Sequence, residues 1–232
     1  MNARDRLVVA LDVPTPEEAL ALVDRLAGLA GMFKVGSQLF TAAGPDFVRG
    51  LVARGEKVFL DLKYHDIPNT VAGAVSAACR LGVSLVDVHA LGGQAMMEAA
   101  VGAMPAMGTR LLAITVLTSH DAAELGELGV TGDVSDNVRR LARLAHAAEV
   151  DGVVASPQEV PIVREACGRD FLVVTPGIRP AGARARDQAR LATPAAALEA
   201  GADLLVVGRP IIEASDPPAA ARAILREMEG AA

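Results

Sequence analysis

Eight short apolar runs recur along the chain, and each is followed by a segment typical of a helix. The runs are rich in Val, Leu and Ile and nearly continuously apolar, as expected of parallel strands buried on both faces. They span 7–13, 32–36, 57–63, 85–90, 110–117, 151–156, 171–178 and 203–209. The segments between them are rich in Ala, Leu, Glu and Arg, with clear examples at 16–29, 137–150 and 216–230. This alternation predicts a parallel α/β fold.

The number of repeats decides between the parallel α/β folds. Eight βα units occupy most of the 232 residues, which predicts a single-domain (β/α)8 TIM barrel over residues 1–232. A doubly wound sheet is the alternative, but it usually has fewer strands and a glycine-rich first turn. The stretch LDVPTPEE after the first run contains no glycine, so a dinucleotide-binding fold is disfavoured.

Composition argues against several classes of function. A net charge of −6 and an aromatic content of 3% do not suit a nucleic-acid-binding protein, which needs a basic face and stacking rings. No apolar run approaches a membrane span, and the five-residue run before Asp12 is too short for a signal peptide.

Cys79 and Cys167 lack the spacing of metal ligands, and we expect reduced thiols in a cytoplasmic protein. His89 lacks an HxxxH or HxE partner, so we expect a packed or hydrogen-bonded histidine and no metal site.

Polar side chains stand at or just after the end of most of the predicted strands. In a barrel the carboxyl ends of all strands gather around one mouth, where the active sites of this fold lie. One charge after an apolar run is unremarkable, but charges at most of these ends predict a shared site. The residues are Asp12, Lys34, Asp61, Lys63, Asp87, His89, Thr118, Arg179 and Arg209.

The densest group of charges is the pattern D-x-K-x-x-D formed by Asp61, Lys63 and Asp66. Strand alternation places Phe59, Asp61 and Lys63 on one face, so Asp61 and Lys63 should project together into the mouth. Lys34, one strand earlier, adds a second cation, and opposite charges at close range hold each other ionised. A purely structural salt-bridge network is the alternative, but four such charges are costly for stability alone.

The last two strands end in an apparent anion site. PGIR at 176–179 follows the seventh run, and VVGRP at 206–210 follows the eighth. Gly208 lets the backbone approach a ligand, and Arg209 offers a bidentate fork. Phosphate commonly binds at this position in barrels, which favours an anion site over a solvated Gly-Arg turn.

These motifs together resemble the orotidine 5′-phosphate decarboxylase family, in its bacterial branch, over nearly the whole chain. The long third-strand motif is the most specific of the matching pieces. They are LDVP, FKVG, FLDLKYHDIPNT, ITVLTS, TPGIR, the DQ at 187–188 and VVGRPI. The resemblance implies decarboxylation of orotidine 5′-monophosphate (OMP) to UMP and CO2, the last step of UMP biosynthesis. It also implies a cofactor-free and metal-free site and a homodimer with shared active sites.

The resemblance further implies a role for each matching residue. Lys63 resembles the proton donor of a tetrad that also contains Lys34, Asp61 and Asp66, with Asp66 reaching into the partner subunit's site. Asp12 and Lys34 resemble ribose contacts, and Asp61 would face the substrate carboxylate. The remaining substrate contacts implied are Thr70 to the ribose from across the dimer, Thr118 (with Ser119 as an alternative) to the pyrimidine, and Gln188, Gly208, Arg209 and nearby Arg179 to the phosphate. The segments 118–132 and 177–190 are the lid candidates.

Two other functions are compatible with parts of this pattern. The first is an Mg²⁺-dependent sugar-phosphate barrel enzyme, since hexulose-phosphate synthase and keto-gulonate-phosphate decarboxylase resemble this sequence in the D-x-K-x-x-D pattern. Lys34 and the PNT that follows Asp66 favour the pyrimidine enzyme. The second alternative is a non-catalytic subunit that binds a phosphate ligand, but an inert relative should have lost a tetrad charge, and none is lost.

Overall fold

The predicted closed barrel of parallel strands is present in the computed structural model, which describes residues 2–105, 108–180 and 191–230. All eight strands pair in chain order, and β1 closes the barrel against β8 with Val8 opposite Val206. The fold is therefore a TIM barrel and not a doubly wound sheet. The strands are β1 (Leu7–Ala10), β2 (Met32–Gly36), β3 (Val58–Tyr64), β4 (Leu85–His89), β5 (Arg110–Ile114), β6 (Gly152–Val154), β7 (Leu172–Thr175) and β8 (Leu204–Val207).

Helices connect the strands and surround the barrel. α2 begins as its sequence predicts, with Pro16 in the first turn and the Thr15 side chain accepting a hydrogen bond from the Glu18 backbone N–H. In the described residues, no helix is long and apolar enough to cross a membrane. The helices are α1 (Ala3–Arg6), α2 (Pro16–Arg25), α3 (Ser37–Ala53), α4 (Pro68–Cys79), α5 (Gln94–Gly102), α6 (Ala122–Glu127), α7 (Val134–Ala147), α8 (Val160–Cys167), α9 (Pro194–Glu199), α10 (Arg209–Ile212) and α11 (Pro217–Glu229).

Most of the predicted strands are shorter in the structure than their apolar runs. The run 110–117, for example, contains β5 but leaves β-structure after Ile114. The extra residues are apolar because they continue into the loops at the mouth, where Val116 is still buried. In the residues after Ile114, the apolar sequence therefore indicates burial and not strand pairing.

The apolar residues form two layers, one inside the barrel and one between the barrel and its helices. The inner layer contains Val8, Ala10, Met32, Phe59, Leu85, Leu112, Leu172, Val174, Leu204 and Val206. Side chains alternate between the two faces of a strand. Residues two positions after Met32, Phe59 and Leu85 therefore also face inward, and these residues are Lys34, Asp61 and Asp87. The inner layer thus changes from apolar to charged at the carboxyl ends of β2, β3 and β4.

Candidate active site

A cavity of about 230 Å³ opens at the mouth of the barrel, above the inner apolar layer. It brings together most of the residues singled out in the sequence. The predicted residues that line it are Asp12, Lys34, Asp61, Lys63, Thr118, Arg179, Gly208 and Arg209. Charges from both ends of the chain therefore meet in one cavity, as the barrel topology predicts.

Lys34 lies between two carboxylates. Its Nζ is 3.1 Å from Asp12 Oδ1 and 3.1 Å from Asp61 Oδ2. Lys34 and Asp61 are each 8% exposed. Burial alone would lower the pKa of Lys34, but Asp61 and Asp12 outweigh it and the pKa is raised. Gly36 leaves room for this arrangement, since a Cβ there would lie 3.1 Å from Lys34 Nζ.

Asp61 is the centre of the charged group. Its second oxygen accepts a hydrogen bond from Lys63 Nζ, so the carboxylate bridges two ammonium groups. Burial alone would raise the pKa of Asp61, but Lys34, a hydrogen bond with Asp87 and Lys63 together bring it far below its usual range. Asp61 is therefore ionised at neutral pH and holds both cations in place.

An irregularity in β3 presents Lys63 to the cavity. Leu60 pairs with Val86 and Tyr64 pairs with Val88, so three residues of β3 stand opposite one residue of β4. Lys63 has φ 52°, in the left-handed region that residues other than glycine rarely adopt. Its backbone N–H donates to Asp87 Oδ1 at 2.7 Å. Strand alternation predicts correctly that Asp61 and Lys63 share the cavity, but it does not predict this bulge.

The arginines of the predicted anion site line the same cavity. Arg209 follows Gly208 directly at the start of α10, and Arg179 lies two residues after Gly177, which has φ 78°. Arg179 Nη1 donates to the carbonyl of Ile178 at 3.0 Å. The mouth therefore has anionic and cationic groups on β2 and β3 and two guanidinium groups after β7 and β8.

Asp66 and Thr70, which have predicted substrate roles, do not line the cavity of this chain, and neither do Asp87 and His89 from the polar strand ends. Asp66 and Thr70 are exposed, at the turn before α4 and in its first turn, and the Asp66 side chain accepts a hydrogen bond from the Ile67 backbone N–H at 2.6 Å. Gln188 lies outside the described residues. The candidate lid 177–190 lies largely outside them too, whereas 118–132 contains α6.

Two polar residues near the site, Asp87 and Ser156, have no role assigned from the sequence. Asp87 was noted there only as one of several polar strand ends. Ser156 lines the cavity, and its buried hydroxyl contacts the Glu159 carboxylate. The S-x-x-E spacing of a capping box could have identified Ser156, and its position two residues after Val154 could have placed it at the mouth.

His89, Cys79 and Cys167 do not line the cavity. The ring of His89 stacks on that of His65 at 5.5 Å, and burial together with His65 and Lys63 lowers the pKa of His89 to about 4. His89 is therefore neutral at neutral pH and packs against His65. Cys79 and Cys167 are unpaired. No cluster of three or more metal-ligating side chains occurs in the ranges 2–105, 108–180 and 191–230.

Comparison with known proteins identifies the family. Residues 5–224 match the profile of the Orotidine 5'-phosphate decarboxylase / HUMPS family. The chain belongs to this family. Among its relatives, the Orotidine 5'-phosphate decarboxylase of Moorella thermoacetica is 54% identical over 237 residues, covering 99% of this chain and 94% of the relative. That of Halorhodospira halophila is 58% identical over 228 residues, covering 97% of each chain.

A solved structure supports the same assignment within the family. The crystal structure of Orotidine 5'-phosphate decarboxylase from Lactobacillus acidophilus superimposes with a TM-score of 0.84 at 41% sequence identity, covering 96% of this chain and 98% of that chain. Relatives this similar over their whole length favour the decarboxylase branch of the family over its sugar-phosphate branch. The family indicated by the sequence motifs and the predicted barrel fold are both confirmed.

Proposed function

We propose that this protein decarboxylates OMP to UMP and CO2 and that Lys63 is its proton donor. The activity follows from membership of the family and from decarboxylase relatives at more than half identity. The observation that carries the role of Lys63 is its ammonium group, held in the cavity by Asp61. We assign residues 1–232 to one catalytic domain, since the relatives match from end to end. We also propose a cytoplasmic location, which suits the unpaired Cys79 and Cys167.

The charged group suits the demands of this reaction. Loss of CO2 from C6 of the pyrimidine leaves a carbanion in the plane of the ring, with no cofactor to delocalise the charge. An ammonium group fixed beside that carbon stabilises the charge and then protonates it. Asp61, bridging Lys34 and Lys63, keeps the Lys63 ammonium in one place, and its own charge faces the leaving carboxylate. We assign the ribose hydroxyls to Asp12 and Lys34, which pair with each other in the cavity.

The arginine side of the cavity suits the 5′-phosphate. Arg209 and Arg179 offer donors in the planar geometry that phosphate oxygens accept. We assign Gly208, with Gln188, to the same phosphate site, and Thr118 or its neighbour Ser119 to the pyrimidine. Binding energy gathered at the phosphate, remote from C6, can be used to stabilise the transition state.

An assay with a chelator tests the reaction and its metal independence together. OMP is incubated with the purified protein, with and without EDTA, while its ultraviolet absorbance is followed and the product is identified by mass. We expect conversion to UMP at equal rates in both samples. Loss of OMP conversion in the EDTA sample alone would refute metal independence, and no conversion of OMP in either sample would refute the proposed reaction.

We also propose that the active unit is a homodimer in which Asp66 and Thr70 complete the partner's site. Both residues are exposed and lie outside the cavity of their own chain. Ile67, between them, is 67% exposed, although large apolar side chains are usually buried. A two-fold interface would make the exchange reciprocal.

Mixing two inactive variants tests the shared site. Asp66→Asn and Lys63→Ala are dissociated together and allowed to reassort. Each mixed dimer has one site with intact Lys63 and Asp66 and one site with both defects. Random pairing makes about a quarter of all sites wild type, so activity should rise toward that fraction. If mass analysis shows mixed dimers and no activity returns, Asp66 acts within its own chain.

A further inference from the structure

Asp87 occupies a special position in the barrel wall. It is fully buried, near the carboxyl end of β4. The pairs Leu60–Val86 and Tyr64–Val88 enclose it, so it stands alone opposite the three bulged residues of β3. Its neighbour on the other side, on β5, is the apolar Leu112. Asp87 is therefore the residue of β4 that must satisfy the polar groups of the bulge.

One carboxyl oxygen of Asp87 supports the backbone of Lys63. The bulge removes the Lys63 N–H from regular strand pairing, and a buried N–H without an acceptor is costly. Asp87 Oδ1 accepts this N–H at 2.7 Å. The same contact holds Lys63 at φ 52°, a conformation that persists in a non-glycine residue only where its surroundings enforce it.

The Asp87 side chain also forms a hydrogen bond with the Asp61 carboxylate. Oδ2 is buried and has no donor to accept from among the described residues. Two ionised carboxylates in contact in such a site would repel each other strongly. A proton on Asp87 removes the repulsion and lets Asp87 donate to Asp61. Burial and the negative charge of Asp61 raise the pKa of Asp87 well above its usual range, in agreement with this arrangement.

We propose that Asp87 is a positioning residue which, as a neutral acid, holds the Lys63 backbone with one oxygen and orients the Asp61 carboxylate with the other. It touches no substrate atom and acts through the two groups proposed to do so. The charged and titratable groups that act on it are Asp61, Lys63 and Tyr64, all on β3. The inference rests on the proposed function for its kinetic consequences, while the protonation of Asp87 is independent of it.

Two substitutions of similar volume separate this role from a merely structural one. Asp87→Asn keeps an oxygen to accept the Lys63 N–H and gains an N–H to donate to Asp61. Its kcat for OMP and its pH profile should stay close to those of wild type. Asp87→Leu fills the space but makes neither contact. Because displacing a reacting group by about 1 Å can cost about 100-fold, we expect kcat to fall by about that factor with KM little changed.

A matched control uses another buried polar side chain of the barrel. Thr175, on β7, is fully buried, and its hydroxyl has no hydrogen-bond partner in the described part of the chain. Thr175→Val should therefore leave kcat unchanged. Equal kcat for Asp87→Leu and wild type would overturn the positioning role. A loss in Asp87→Asn as large as in Asp87→Leu would overturn the neutral acid, because the negative charge would then be what matters.

An infrared measurement on the wild-type protein needs neither activity nor a stable Asp87→Leu variant. A protonated buried carboxyl gives a C=O stretching band above the amide region. We expect this band at neutral pH in wild type and its absence in Asp87→Asn. If wild type and Asp87→Asn show no difference in this band, Asp87 is not protonated and the proposal fails. If the band is present but wild type does not convert OMP, the proposed function fails instead.

Discussion

Replacing Asp87 by Asn should stabilise the folded protein, by an amount that grows with pH. In the folded chain, burial and the adjacent Asp61 raise the pKa of Asp87, whereas an unfolded Asp titrates near 3.9. Below that value both states carry the proton. As pH rises further, the unfolded chain releases the proton and the folded chain retains it, so wild-type stability falls until the raised pKa is passed. Asn does not titrate and escapes this loss.

The size of the effect follows from one proton. Because Asp87 is fully buried, its folded form holds one proton that the unfolded chain has already released. Between the ordinary and the raised pKa, the unfolding free energy of Asp87→Asn should gain about 1.4 kcal/mol on wild type per pH unit. For a chain of this size, that corresponds to about 3–6 °C in Tm per pH unit. Asp61 is ionised in both proteins, so its own contribution largely cancels.

Thermal and urea unfolding of both proteins across a series of pH values from 4 upward measures this difference. Asp46→Asn is the matched control, because the Asp46 side chain is 91% exposed on the protein surface. The control should show a difference from wild type that hardly varies with pH. A difference between Asp87→Asn and wild type that is equally flat would mean that folded Asp87 ionises normally, and the reasoning about the buried pair would be wrong.

Two further substitutions test the proposed roles of the site residues. Lys63→Ala should abolish turnover with little change in Tm, because Lys63 lies at the mouth with its side chain 38% exposed. The control is Lys57→Ala, since Lys57 is exposed just before β3. A Lys63→Ala variant that retains more than a few per cent of wild-type kcat would contradict the proton-donor role. Arg209→Ala should lower kcat/KM for OMP by a factor that corresponds to about 2–5 kcal/mol of transition-state stabilisation. It should leave kcat/KM for orotidine unchanged, because orotidine has no phosphate. Equal losses for the two substrates would refute the phosphate contact, and Arg222→Ala, on the exposed face of α11, should affect neither.

The order of the elements and much of the site were predictable from the sequence because both depend on local periodicity. Continuous apolar runs mark strands that are buried on both faces, and eight of them allow few arrangements other than a barrel. Alternation of side chains then places Lys34 and Asp61 on the inner face above Met32 and Phe59. Barrel closure collects strand ends at one mouth, so Arg209 could be assigned to the same cavity although it lies far along the chain.

The role of Asp87 could not be predicted, although its inward position could. It depends on the register between β3 and β4, where three residues face one, and regular alternation contains no information about such a bulge. It also depends on the protonation of a carboxyl beside Asp61, which is set by burial and by a neighbour 26 positions earlier in the chain. The sequence by itself determined which charges meet at the mouth. Only the tertiary structure decided which of them are ionised and how Lys63 is held, because desolvation and strand register exist only once the barrel has closed.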